Sequence, residues 1–233
     1  MTGKLRCNEK ARLRTFCYTK CIVEINGLIL DSHRVRIENT PFKWCLHIGK
    51  PLQICNPLLL EMLKRWLPAH ESFHVMKRSI PFSCADICMS LGLGIFRLDV
   101  EFVKNVCEVV GSLMKDKLLT IENVIEMIKS VVQSDFDDVD NAFRLYIFVC
   151  FVILYFSRNS KTVSNTPCSV LDHIDRLLSY NWGKAVHSYL VKSLSRAFLA
   201  LRQTEICLSG SVTVLHVHST LCNDYLLFVE YLK

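Results

Sequence analysis

The stretch FRLYIFVCFVILYF, Phe143 to Phe156, is the most apolar run in the chain, and its reading decides the fold. It is either a membrane span or the axis of a folded core. Fourteen helical residues reach about 21 Å, short of the roughly 30 Å hydrocarbon layer of a bilayer, and Arg144 interrupts the run. The expectation is therefore a buried central helix and no membrane-spanning segment. Just before it, SDFDDVD (134–140) places four aspartates ahead of the helix, where they cap it and oppose the positive end of its dipole. The glycine-kinked spacing of a calcium loop is absent from that run.

Moving outward, the pattern stays helical. In LLSYNWGKAVHSYLVKSLSRAFLAL (Leu177–Leu201), Trp182, Val186, Tyr189, Leu190, Leu194 and Phe198 share one side, and Lys184, Lys192 and Arg196 fall largely on another. This is the signature of a packing helix. Upstream, LDVEFVKNVCEVVGSLMKDK carries Val103, Val106, Val110 and Leu113 on one stripe, and TIENVIEMIKSVVQ opens on Thr120 as a cap with Glu122 in its first turn. Ser83 with Asp86 three residues on predicts a helix from Cys84 to about Leu91, closed by Gly92 or Gly94 in the left-handed conformation. Leu59, Leu60, Leu63 and Leu67 at helical spacing predict a further helix between Pro57 and Pro68.

The two ends read differently. β-branched residues around Asn26-Gly27 and Asp31-Ser32 predict a short β-hairpin near the N-terminus, and Val212, Val214, Leu215 and Val217 favour a strand. The fold class expected is thus mainly α: a single multi-helix domain over residues 41–233, preceded by a basic arm and a small hairpin or extended element over residues 1–40.

With 233 residues and 51% hydrophobic side chains, the chain has ample material for a core. The formal charge of +6 is local: the first fifty residues hold ten Lys/Arg against four Asp/Glu, and the rest hold eighteen of each. Lys4, Arg6, Lys10, Arg12 and Arg14 are the residues positioned to meet phosphate, an acidic partner or an import receptor. They form no dense run, and they lack interleaved aromatics, which argues against sequence-specific nucleic-acid reading. No secretory signal precedes them, so the twelve cysteines are expected to be reduced thiols of an intracellular protein.

Candidate chemistry is sparse. No C-x-x-C occurs, and the pairs with ligand spacing are Cys17/Cys21, Cys84/Cys88, His70/His74 and His216/His218, each offering two metal ligands and none four. LGLGIF lacks a phosphate-loop pattern, and CLSGS does not place a serine between two glycines. Asp172 and Asp175 sit three apart beside His173 and Arg176, the pattern of a solvated helical face rather than an acid/base pair. No catalytic, cofactor or metal site is assigned, and the chain reads as a non-enzyme.

Two ordered patterns carry a resemblance. The first is the segment from Trp44 to Gly94, in which Trp66, Pro81, Phe82, Asp86, Leu91, Gly92 and Leu93 fall in register; the second runs from Arg144 to Phe198, with Leu171, Ile174, Asp175, Tyr180, Trp182, Gly183, Val186 and Leu190. Together, over roughly residues 42–217, they resemble the plant mobile domain family, often labelled aminotransferase-like. The C-terminal part departs from that pattern, with Gly210-Ser211 where the family has Gly-Cys. The resemblance implies a nuclear, transposon-derived, non-catalytic interaction domain tied to gene silencing or to genome and meristem maintenance, with nuclear proteins as partners. It also implies an alternative, the accessory helical region of a SUMO-type cysteine protease whose catalytic domain lies elsewhere. Pyridoxal phosphate chemistry does not follow from the label, because such an enzyme needs alternating strands and helices with a Schiff-base lysine. On either reading Trp182, Tyr180 and Asp86 are expected to be packing or capping residues. A non-specific phosphate contact through the basic arm is the remaining alternative, and the sequence leaves the oligomeric state open.

Overall fold

A computed structural model describes residue 8 and residues 11–75, 77–95, 98–102, 108–114, 120–133, 138–158 and 167–221. The architecture is mainly α. In chain order it comprises β1 (Arg12–Thr15), α1 (Lys20–Asn26), α2 (Asp31–Glu38), α3 (Asn56–Lys64), β2 (Trp66–Leu67), β3 (Ser72–Val75) and β4 (Arg78–Pro81). There follow α4 (Cys84–Leu91), α5 (Glu108–Met114), α6 (Ile121–Gln133), α7 (Val139–Cys150), α8 (Trp182–Leu199), β5 (Glu205–Leu208) and α9 (Thr213–Leu221).

The apolar run is the axis. Helix α7 continues through a π-helical turn, Phe151–Tyr155, closed by the Phe156 N–H donating to Phe151 O at 2.7 Å, and residues 142–156 are buried apart from Arg144. That arginine is half-buried and satisfied, donating to Leu171 O at 3.1 Å and to Asn141 Oδ1 at 3.0 Å. Asp138 caps the helix as anticipated, accepting from Asn141 N at 3.2 Å; Asp135 and Asp137 lie outside the described residues. No described helix is long and apolar enough to cross a membrane.

Around α7 the aromatic side chains close. Trp182, fully buried at the start of α8, lies 4.9 Å from Phe42 and 5.0 Å from Phe151, ring centre to ring centre, and its indole N–H donates to Leu177 O at 2.7 Å. Asn181 supplies the cap of α8 by accepting from Lys184 N at 3.0 Å. The amphipathic segment is scaffold, but it is not one helix from Leu177: a 3₁₀ segment ends at Ser179, Tyr180 is extended, and α8 begins at Trp182.

The expected N-terminal hairpin is not present; residues 20–26 and 31–38 form α1 and α2. Ile22 and Ile25 of α1, Ile29 in the link after it and Ile37 of α2 are buried against the body, and this packing outweighs the local β propensity of their branched side chains. Asn26 is no turn residue. Its amide donates to Cys45 O at 2.9 Å and to Leu46 O and Ile48 O at 3.3 Å, while its carbonyl oxygen accepts from the Tyr146 hydroxyl at 2.9 Å. Leu13 of β1 belongs to the same hydrophobic cluster, so from residue 11 the chain is built into the helical body rather than standing as an arm.

β structure occurs elsewhere. An antiparallel sheet of order β2-β3-β4 follows α3, pairing Trp66 with Phe73, and this pairing draws the chain out of helix at Lys64, so that Leu67 is strand and not helix. The strand expected over Val212–Val217 is helix α9, which buries Val214, Leu215 and His218 against α3 and α4. The C-terminal strand lies just before it, where β5 pairs in parallel with β1.

Candidate functional site

The polar chemistry of the fold converges where α4, α9 and the β3–β4 sheet meet. Ser83 and Asp86 form the capping box at the start of α4, with the Ser83 N–H and hydroxyl donating to Asp86 Oδ2 at 2.7 and 2.8 Å. Gly92 ends the helix at φ 63°, the left-handed region that glycine enters without a Cβ penalty. All three features were legible in the sequence. The partner of the second Asp86 oxygen was not: His218 Nδ1 lies 3.1 Å from Oδ1, across 132 residues of chain.

Burial alone would raise the Asp86 carboxyl, but the two Ser83 donors and His218 outweigh it and hold the group below its ordinary value. An ionised carboxylate only accepts, so the imidazole carries its proton on Nδ1. The ring is enclosed, 5.6 Å from Phe73 and 5.2 Å from Phe82 between centres, and His218 is 4% exposed. His187 of α8 also packs on Phe82, at 5.4 Å between ring centres, with Nε2 3.0 Å from Phe82 O. This carboxylate–imidazole pair works as a latch between α4 and α9.

Beside the latch is a groove of about 260 Å³ between the extended segment 52–54, the end of α4 and the outer side of α9. Leu52, Ile54, Leu91, Val214 and Val217, with Trp44, give it apolar walls, and Gln53, Ser90, Thr213 and His216 are its polar members. Ser90 Oγ is buried and has no hydrogen-bond partner among the described residues. Burial lowers the His216 pKa, which keeps the imidazole neutral near pH 7.

The metal-ligand pairs resolve unevenly. Cys17 precedes α1 and is buried, with its thiol pushed up to about 12 by desolvation, and Cys21 lies within α1, so the pair does not share a helical face. His70 ends a 3₁₀ turn and His74 lies on β3, both exposed. His216 and His218 would share a face only in a strand, and α9 sends one to the groove and the other to Asp86. Cys84 and Cys88 alone come together, with Sγ atoms 4.0 Å apart on α4. Among the described residues no group of three His, Cys, Asp or Glu side chains is placed to hold a metal ion.

The paired carboxylates join separate elements. Asp172 caps α5, accepting from the backbone N–H groups of Glu108 at 3.3 Å and Val109 at 3.0 Å. Asp175 accepts from Arg36 Nη2 at 2.8 Å, and the same guanidinium meets Asp140 at 3.2 Å and stands 5.4 Å over the Phe143 ring. Of the basic residues near the N-terminus, Arg12 is exposed on β1 and Arg14 pairs with Glu205 at 2.6 Å; Lys4, Arg6 and Lys10 lie outside the described residues.

A model of the DUF8566 family, a domain of unknown function, matches residues 15–216. No curated protein matches the chain, and neither does any solved structure.

Proposed function

We propose that this chain, which belongs to the DUF8566 family, is a non-catalytic interaction domain that acts through protein contacts in the nucleus, in the manner its resemblance to plant mobile domains implies. The observation that supports the reading is the groove between segment 52–54, α4 and α9. Its apolar walls suit an aliphatic or aromatic side chain of a partner protein, and the Ser90 hydroxyl suits a carbonyl beside that side chain. The proposed work of this surface is to seat a nuclear protein, with gene silencing or genome maintenance as the setting.

A photo-crosslinking residue at exposed Gln53 tests this. The expected result is a nuclear protein crosslinked in cells that, once purified, binds the chain directly and binds the Val217→Arg variant at least about tenfold more weakly, a loss of about 1.4 kcal/mol. Equal binding by a folded Val217→Arg variant, or exclusion of the chain from nuclei, would sink the proposal. A phosphate contact through Lys4, Arg6, Lys10, Arg12 and Arg14 is the second reading, supported by the exposure of Arg12. It requires nucleic-acid affinity that falls steeply with salt.

A further inference from the structure

Helices α4 and α8 bring their N-terminal ends together at two thiols that nothing described above employs. Cys84 is the first residue of α4 and Cys88 lies one turn further, both half-buried, with the sulfurs 4.0 Å apart. Gly183, the second residue of α8, closes over them so tightly that a Cβ at that position would lie 2.5 Å from Cys88 Sγ and 3.1 Å from Cys84 Sγ. Any other residue at position 183 would drive the helices apart or scatter the sulfurs.

We infer that Cys84 and Cys88 form a two-coordinate site for a soft, thiophilic cation of the Cu(I) class. Thiolate ligands select such ions over hard cations. The two sulfurs stand 4.0 Å apart one turn along α4, and a small rotamer adjustment brings both onto one ion. A structural zinc asks for four ligands, and among the described residues no group of three is available, so two-coordinate Cu(I) fits where tetrahedral Zn²⁺ does not.

The binding step balances without redox change. One Cu⁺ forms two Cu–S bonds, two S–H bonds give up their protons to solvent, and the resulting bis-thiolate carries one negative charge. The positive ends of two helix dipoles adjoin that charge and favour it. Each thiol must lose its proton to bind the ion, so uptake releases protons and weakens as pH falls.

The test is an anaerobic titration of the full chain with Cu(I) buffered by bicinchoninate. Wild type is expected to take one tightly held equivalent, and Cys84→Ala and Cys88→Ala each to lose it. A Cys55→Ala/Cys207→Ala variant, lacking two exposed thiols, is expected to retain it. Copper K-edge absorption on the wild-type complex, which does not depend on any variant folding, is expected to show two sulfur neighbours. Retention of the equivalent by either single variant, three or more sulfur neighbours, or no tight uptake by wild type would each overturn the site.

Discussion

The seam between α7 and α8 and the seam between α4 and α9 hold the same molecule together by opposite means. At the first, Trp182, Phe42, Phe151 and Tyr155 meet at 4.9 to 6.3 Å, edge to face except for the tilted Phe151–Trp182 pair, with no charged side chain among them. At the second, a carboxylate pairs with an imidazole packed against two phenylalanine rings, next to a groove that holds a hydroxyl without a partner among the described residues. The dry seam derives stability from area and shape, insensitive to pH and salt. The polar seam contributes less stability and depends on protonation. A scaffold with a working edge needs both kinds.

The largest effect should fall on the dry seam. Trp182→Ala removes a fully buried ring together with its hydrogen bond to Leu177 O, and is expected to cost about 3–5 kcal/mol in chemical denaturation. The loss should be the same at pH 5 and pH 8, since no titrating group is involved. A loss below about 1 kcal/mol would show that the ring is not a core element.

The polar seam should give a smaller, pH-dependent loss. Asp86→Asn keeps the shape but removes the charge held by Ser83 and His218, and is expected to cost about 1–3 kcal/mol near neutrality. Because the folded carboxyl lies below its unfolded value of 3.8, its contribution is complete above that value and fades as pH falls through the folded one. His216 titrates in a separate window: its depressed folded pKa means the unfolded chain takes up protons first, so stability declines as pH drops below 6.5. Denaturation midpoints from pH 8 to pH 3 should therefore show two steps in wild type. The upper, His216 step should survive in Asp86→Asn while the acid step shrinks to what the lowered Glu61 carboxyl contributes, and loss of the upper step there would break the separation.

The two seams were not equally legible. The dry one was written locally: a long apolar run broken only by Arg144, a tryptophan after an Asn cap, and apolar positions every third or fourth residue specify helices that have nowhere to go but inward. Half of the polar one was local too, since Ser83, Asp86 and Gly92 fix the ends of α4 within ten residues. The other half came from His218, which the β-branched company of Val212, Val214 and Val217 assigned to a strand. Packing against α3 and α4 overrides that propensity, and once the segment is helical His216 and His218 part company. Asn26 fails in the same way: Asn-Gly signals a turn only when its side chain is free, and here that side chain satisfies three backbone carbonyls and a tyrosine. The parallel β1–β5 pair joins segments about 190 residues apart, and no local pattern encodes that partnership.

The smallest effect separates stability from function at the groove. Ser90 Oγ is buried without a partner among the described residues, and such a hydroxyl costs the fold about 1–3 kcal/mol in lost solvation. Ser90→Ala removes that cost and only a small volume, so the variant is expected to be as stable as wild type or up to about 1 kcal/mol more stable. A groove that serves only as packing would show that gain and nothing else. A groove that seats a partner carbonyl on this hydroxyl would show the gain together with weaker binding, because the same substitution takes away the donor. Measuring thermal stability and affinity for the Gln53-crosslinked partner on one preparation of Ser90→Ala distinguishes the two. A rise in stability with a fall in affinity identifies the hydroxyl as a group kept at the expense of the fold, whereas a fall in both would place Ser90 in the ordinary hydrogen-bonding of α4 and return the groove to the core.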